Sequence, residues 1–307
     1  MFNLTSAALL KKLDQIKGLI RPRVAQIGDN LYILTGSDCP SSSLKMVAAY
    51  GCLRKVIEEN TDLDWSRMTL LDASSGNFAL ALAYLCWLLG LKCEVIVNSR
   101  VPIQTQNLLR VFGAKLTIGG DTTKDCYATA VKLQKERPDL YTLTNQLESW
   151  ANPHAHTAIT APTIVRAVPN LKTIVLTGGS FGTACGIAMY LQEISSTASM
   201  IVVRASPGSS IVGTASLTEG RDYVTPFMQY VGDLPSTLAK TVAVTEDEAK
   251  TGMAKLFNST GIFGGFSTGA VYAGYRKHQM IAMDTTEGNV CLVSADNGDK
   301  WFEKFPH

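Results

Sequence analysis

Nothing in this chain of 307 residues pairs cysteines in the manner of a zinc site or a redox dithiol. Its seven cysteines (39, 52, 86, 93, 126, 185 and 291) form no C-x-x-C pair, and several stand in apolar runs. Buried, reduced thiols in a cytoplasmic protein are the expected state. Long apolar runs are lacking as well. The most hydrophobic helix-like segment, 78–91, is too short to cross a bilayer. Residues 1–20 read as an amphipathic helix without the apolar core of a signal peptide. The net charge is only +2 and no basic run stands out, so neither nucleic acid nor an anionic membrane is an expected partner. Internal repeats and low-complexity tails are absent. His154 and His156 have no nearby third ligand, so no metal site is expected and both read as helix-start residues.

What is present suits a globular protein of one large or two moderate domains: 46% of residues are hydrophobic and 18% charged. Short β-rich runs alternate with longer helical stretches. Strands are predicted at 69–73, 93–97 and 115–118, with helices over 78–89, 102–112 and 124–137 between and after them. A second series begins after residue 150, with helices over 155–168 and 183–194 and strands at 173–176 and 200–204. Helices over 246–258 and 268–277 precede a last strand at 289–293. This rhythm is that of buried parallel strands joined by crossover helices. Residues 206–235 are rich in Gly, Ser, Thr and Pro, show no clear period, and read as a functional loop. Within it Arg221, flanked by Glu219 and Asp222, reads either as a solvated loop residue or as a contact for an acidic substrate. The fold class is α/β with two open twisted sheets, and ligands should bind where strand C-termini meet helix N-termini.

Four stretches have the composition of a site. In Pro40-Ser41-Ser42-Ser43-Leu44-Lys45 a polar turn supplies candidate N-caps, so Lys45 falls in the first turn of a helix. A cation there opposes the helix dipole, an odd place for a surface lysine but a useful one for an amine that must be neutral to react. Ser74-Ser75-Gly76-Asn77 lies between a strand and a helix, where backbone N–H groups bind a carboxylate or simply cap the helix. Thr177-Gly178-Gly179-Ser180-Phe181-Gly182-Thr183 has glycines that let the backbone close around an anion, with phosphate the natural guest. It lacks the lysine of a P-loop and the spacing of a dinucleotide fingerprint. Gly265-Phe266-Ser267-Thr268-Gly269-Ala270 offers Ser267 to a heterocyclic nitrogen or as an N-cap. A lysine, a phosphate cup and an amide-bearing turn on one α/β scaffold together point to pyridoxal phosphate.

In order along nearly the whole chain, these segments resemble the cysteine synthase (O-acetylserine sulfhydrylase) and cystathionine β-synthase family of fold-type II pyridoxal-phosphate enzymes. Pro40 to Lys45 is similar to the family's N-P-[ST]-G-S-[VIL]-K, which implies that Lys45 is the Schiff-base lysine. Ser74 to Asn77 resembles the [ST]-S-G-N loop, which implies that Asn77 meets the cofactor and that Ser74, Ser75, Gly76 and Phe78 line the substrate carboxylate site. Gln146, followed by Asn152-Pro153, His156 and Thr160-Ala161-Pro162, resembles the Q…N-P…H…T-G-P run and implies a substrate role for Gln146. Gly179, Ser180, Phe181, Gly182 and Thr183 resemble the phosphate loop, and Ser267 the serine that faces the pyridine nitrogen. Residues 295–301 resemble the closing D-x-G-x-[RK]-Y.

Two departures stand out: Met46 where the family has Asp, and Phe78 where it has Thr. In addition, Phe181 replaces a glycine, which its backbone can serve only if φ is unexceptional. The resemblance implies a tryptophan synthase β-like fold, with a smaller domain over 36–150, a larger one formed by 1–35 and 151–307, and a site in the cleft between them. It also implies a homodimer and a small amino-acid substrate. The implied reaction is β-replacement on O-acetylserine or O-phosphoserine through an α-aminoacrylate. An amine nucleophile giving 2,3-diaminopropionate, a serine or threonine dehydratase, and a catalytically silent cofactor-binding regulator remain alternatives at this point.

Overall fold

Runs of β-branched and aliphatic residues bounded by glycine and polar turns form the strands, and the computed structural model, which describes residues 4–74, 76–218, 223–282 and 288–305, gathers them into two sheets. The chain begins with α1 (Ser6–Lys17), a hairpin of β1 (Arg23–Gly28) and β2 (Leu31–Thr35), and α2 (Lys45–Glu59). Then come β3 (Thr69–Ala73), α3 (Asn77–Leu89), β4 (Lys92–Asn98), α4 (Ile103–Val111), β5 (Lys115–Gly120), α5 (Thr123–Glu136) and β6 (Tyr141–Leu143). The second half carries α6 (Ala151–Ala158), α7 (Thr160–Ala167), β7 (Leu171–Thr177), α8 (Gly182–Glu193), β8 (Ser199–Ala205) and α9 (Pro226–Gly232). It ends with β9 (Ala239–Val244), α10 (Glu246–Thr260), α11 (Phe266–Ala282) and β10 (Asn289–Ser294).

The chain divides into two units. The first comprises Met1–Arg21, Cys39–Ser41 and Lys45–Asn152 and holds a parallel four-stranded sheet of order β5-β4-β3-β6. Its central strand β3 is buried along its whole length, and α3 is apolar almost all round, as a helix enclosed by other elements must be. Helix α1 is tied to this unit by the Trp65 indole N–H, which donates to Ser6 Oγ at 2.8 Å, and by an Arg54–Asp14 ion pair. The second unit comprises Pro22–Asp38, Ser42–Leu44 and Pro153–His307. Its six-stranded sheet has the order β1-β2-β10-β7-β8-β9, parallel except for the β1–β2 hairpin. Its core gathers Val175, Ile201, Val203, Phe266, Val271 and Leu292. The α/β class with two open sheets is thus the observed one.

Two expectations are corrected, and one hairpin is added. The single helix over 155–168 is two, α6 and α7, because Pro162 has no N–H to bond the Ala158 carbonyl and its ring crowds that group; the chain leaves helical geometry at Ile159 (φ −121°, ψ −59°). The irregular stretch 206–235 contains α9, whose N-cap Thr225 Oγ1 accepts from Met228 N at 3.0 Å and which has proline in its first turn. Residues 219–222, including Glu219, Arg221 and Asp222, lie outside the described residues. Finally, β1 and β2 form a hairpin at the sheet edge that no apolar run announced, since β1 is largely exposed. Among the described residues no helix is long and apolar enough to cross a membrane, no cluster of metal-ligating side chains occurs, and the seven cysteines are buried and form no disulfide.

Candidate active site

In the first unit, Lys45 opens α2 immediately after a constrained turn: Ser41 and Ser42 both take left-handed backbone, φ 64° and 51°. Non-glycine residues adopt this region at a cost of about 1–2 kcal/mol each, and such strain persists where the surroundings fix it. The Ser41 hydroxyl is buried without a hydrogen-bond partner. Lys45 is half-buried, and loss of water around its ammonium lowers its pKa, with the nearby Cys52 opposing the shift. Cys52 lies two turns along α2 and is fully buried. Burial, and then the Asp72 carboxylate, push its thiol far above the usual range, so it stays neutral.

Asp72 is the charged residue in the otherwise apolar β3. Burial pushes its pKa up to about 6 even though Thr144 Oγ1 and the backbone N–H groups of Ala73 and Gln146 all donate to it. Those donors explain its place: the carboxylate holds the segment carrying Gln146 against the end of β3. Gln146 Nε2 donates to the Ala73 carbonyl at 3.2 Å, and its own carbonyl accepts from Asn152 Nδ2 at 2.9 Å. Ser74 follows, and its Oγ accepts from Ala79 N (3.3 Å) and Gly76 N (3.4 Å), which leaves its O–H proton for a ligand. Thus Ser74, Gly76, Asn77 and Gln146 gather at one end of the parallel sheet. Ser75 lies outside the described residues. Phe78 is 1% exposed and Met46 fully buried, so both departures from the family pattern are withdrawn from solvent.

In the second unit, β7 runs into the turn 178–181 and α8 begins at Gly182. The turn is pinned from both sides: Gly178 N donates to Val203 O (3.2 Å), and the Gly178 carbonyl accepts from Ala215 N (2.6 Å). The Ser180 carbonyl accepts from Thr225 Oγ1 at 2.8 Å. Glycine is required at 179 by close approach, because a Cβ there would lie 2.7 Å from the Gly213 carbonyl oxygen. The condition set for Phe181 is not met. Its backbone is left-handed (φ 65°, ψ 1°), the conformation that makes glycine natural at this position. Its ring instead fills the space over Gly178, where a Cβ would come within 2.5 Å of it, and lies 5.8 Å from the Arg204 guanidinium carbon. Beyond the turn, the N–H groups at the start of α8 and the helix dipole favour an anion. Ser267, the second residue of α11, is 7% exposed and faces Gly213, the residue that also abuts Gly179. One loop therefore connects the turn at Gly179 with Ser267.

The sequence profile of the pyridoxal-phosphate dependent enzymes matches residues 20–296. The chain belongs to that family. It is 26% identical over 243 residues to cysteine synthase A of Escherichia coli (strain K12), covering 76% of this chain and 75% of that protein. It is 28% identical over 292 residues to the cysteine synthase of Buchnera aphidicola (subsp. Acyrthosiphon pisum), covering 91% of each. Among solved structures, O-ureido-L-serine synthase superposes with a TM-score of 0.80 over 93% of this chain and 92% of that one, at 22% identity, a likeness of fold. The protein is a pyridoxal-phosphate dependent enzyme of the cysteine synthase type.

The residues present fit the cofactor. A desolvated lysine suits covalent attachment through a neutral amine. The glycine-containing turn 178–181 leading into the N-terminus of α8 offers backbone N–H groups that suit a phosphate, and a neutral hydroxyl at 267 suits a pyridine nitrogen. Sequence reasoning missed Asp72, whose signal was a lone acid in an apolar strand, and Thr144, which gave none. It also read His156 as a helix start, whereas the residue is fully buried within α6 and touches Thr183 of the cup.

Proposed function

We propose that the protein carries out β-replacement on an O-activated L-serine, O-acetylserine or O-phosphoserine, with sulfide as the nucleophile. The observation that carries this reading is Lys45: a half-buried amine with a pKa lowered by desolvation, opening α2 at the place the family gives its cofactor lysine. Bound pyridoxal phosphate supplies an electron sink for the pair released at the substrate's α-carbon. Lys45 would hold the cofactor covalently, and its amine, when neutral, would take the substrate's α-proton. The Ser74 hydroxyl and the backbone N–H groups at the start of α3 hold the substrate carboxylate, Gln146 orients the substrate, and Asn77 contacts the cofactor ring. Gly179, Ser180, Phe181, Gly182 and Thr183 hold the phosphate. Ser267, being neutral, does not keep the pyridine nitrogen protonated as a carboxylate would, which suits prompt loss of a β-leaving group over long-lived carbanion chemistry.

The test is a spectral titration of the holoenzyme with O-acetylserine and O-phosphoserine, followed by sulfide or amines. The expected result is a shift of the cofactor band with release of acetate or phosphate, reversed by sulfide as cysteine forms. An unchanged spectrum points to a binding-only protein, and ammonia with a keto acid from serine or threonine points to a dehydratase. Reversal by an amine alone points to a diaminopropionate-type synthase. A homodimer is the proposed working form, which light scattering checks, and seven buried thiols suit a reducing cytoplasm.

A further inference from the structure

His156 has no role in the reaction described so far. It is fully buried, and its two ring nitrogens meet two hydroxyls: Nδ1 lies 2.8 Å from Thr160 Oγ1 and Nε2 lies 3.1 Å from Thr183 Oγ1. Thr160 is the first residue of α7, and Thr183 is the last residue of the phosphate cup, in the first turn of α8. The imidazole reaches Thr183 because α6 and α8 approach closely at Gly186. A Cβ there would stand 2.3 Å from the Pro153 carbonyl oxygen and 2.7 Å from His156 Cβ. Thr157 Oγ1 locks the same crossing, 3.1 Å from the Pro153 carbonyl and 2.9 Å from that of Gly186.

A neutral imidazole has one donor and one acceptor nitrogen, and each threonine hydroxyl has a single proton. Two arrangements satisfy the three groups. If Nδ1–H donates to Thr160, then Thr183 must donate to Nε2, and it presents only lone pairs to an anion. If Thr160 donates to Nδ1, then Nε2–H donates to Thr183 Oγ1, and the Thr183 proton is directed to the phosphate. Only the second arrangement lets the Thr183 hydroxyl donate to an anion. We propose that His156, held as the Nε2–H tautomer by Thr160, is a positioning residue that fixes Thr183 as a hydrogen-bond donor to the cofactor phosphate. The inference rests on the reading of residues 179–183 as the phosphate cup.

The direct readout is the imidazole 15N spectrum of the holoenzyme, with the His156 signals identified by their loss in His156→Gln. A pyrrole-type Nε2 with a pyridine-type Nδ1 is expected, whereas a protonated Nδ1, alone or with Nε2, overturns the proposal. The second readout is cofactor affinity. Thr183→Val is expected to weaken pyridoxal-phosphate binding about 10- to 100-fold, the range for a hydrogen bond to a charged group. His156→Leu is expected to weaken it about tenfold, and His156→Gln, which can still donate to Thr183, to weaken it less. In the Thr183→Val background, His156→Leu should cost nothing further. An additive loss there overturns the proposal while leaving the cup intact, whereas an unchanged affinity in Thr183→Val alone overturns the cup itself.

Discussion

Phe181 is the residue at which strain and packing in the cup can be separated. It stands where the family has glycine, and its backbone is held at φ 65°. Its ring is nearly fully buried, packed over Gly178 and beside Arg204. Removing the ring costs about 3–5 kcal/mol in a core position, in both Phe181→Ala and Phe181→Gly. The two variants differ only in the Cβ. Alanine keeps the left-handed penalty of about 1–2 kcal/mol, whereas glycine sheds it but gives the unfolded chain more freedom, worth about 0.5–1 kcal/mol. Phe181→Gly is therefore expected to be the more stable of the two by about 1 kcal/mol, the reverse of the order at an ordinary helical or extended position. With an m value of about 3 kcal/mol/M, the urea midpoints should differ by roughly 0.3 M. Both measurements are made on cofactor-free protein, so that ligand affinity does not enter the comparison. If Phe181→Ala unfolds at the same urea concentration as Phe181→Gly or a higher one, the backbone at 181 is not left-handed and the description of the cup is wrong.

Two further outcomes follow from the first unit and its turn. Asp72 titrates at about 6 when folded against 3.8 normally, so between those values the folded protein binds more protons than the unfolded one. Its contribution to stability therefore falls as pH rises from about 4 to about 6, by roughly 3 kcal/mol, and is flat above. Across that window the stability difference between wild type and Asp72→Asn, measured by denaturation, should change by roughly 3 kcal/mol, and a difference independent of pH would contradict it. Ser42, at φ 51° in the position of a family glycine, gives a gain in the opposite sense. Ser42→Gly is expected to raise stability by about 1 kcal/mol and the melting temperature by about 2 °C, and a fall on calorimetry would refute the strain.

The parts of the fold that were legible in the sequence were those whose burial is continuous. Strands such as β3, β4, β7, β8 and β10 read as runs rich in aliphatic residues, broken in β3 and β4 by the buried acids Asp72 and Glu94, and the glycine or serine turns after β3 and β7 announced where helices begin. Strand β1 escaped notice because an exposed edge strand needs no apolar pattern. The break at Ile159 was legible in Pro162 but was read past. Around the candidate site, residue types and order gave the motifs, while the conformations did not follow from them. Nothing in a serine or phenylalanine announces a positive φ, which is imposed at 42 and 181 by the surrounding structure. The link from His156 to Thr183 joins residues 27 positions apart and exists only because Gly186 lets two helices touch.

The central claim is that Lys45 carries the cofactor. The most direct measurement is the visible spectrum, with mass analysis after borohydride reduction, of purified wild type and of Lys45→Ala, both supplied with pyridoxal phosphate. The account expects a visible band and a reduced cofactor fixed on the peptide containing Lys45 in wild type, and neither in Lys45→Ala. A wild type that stays colourless, or a cofactor recovered on another lysine, would contradict it.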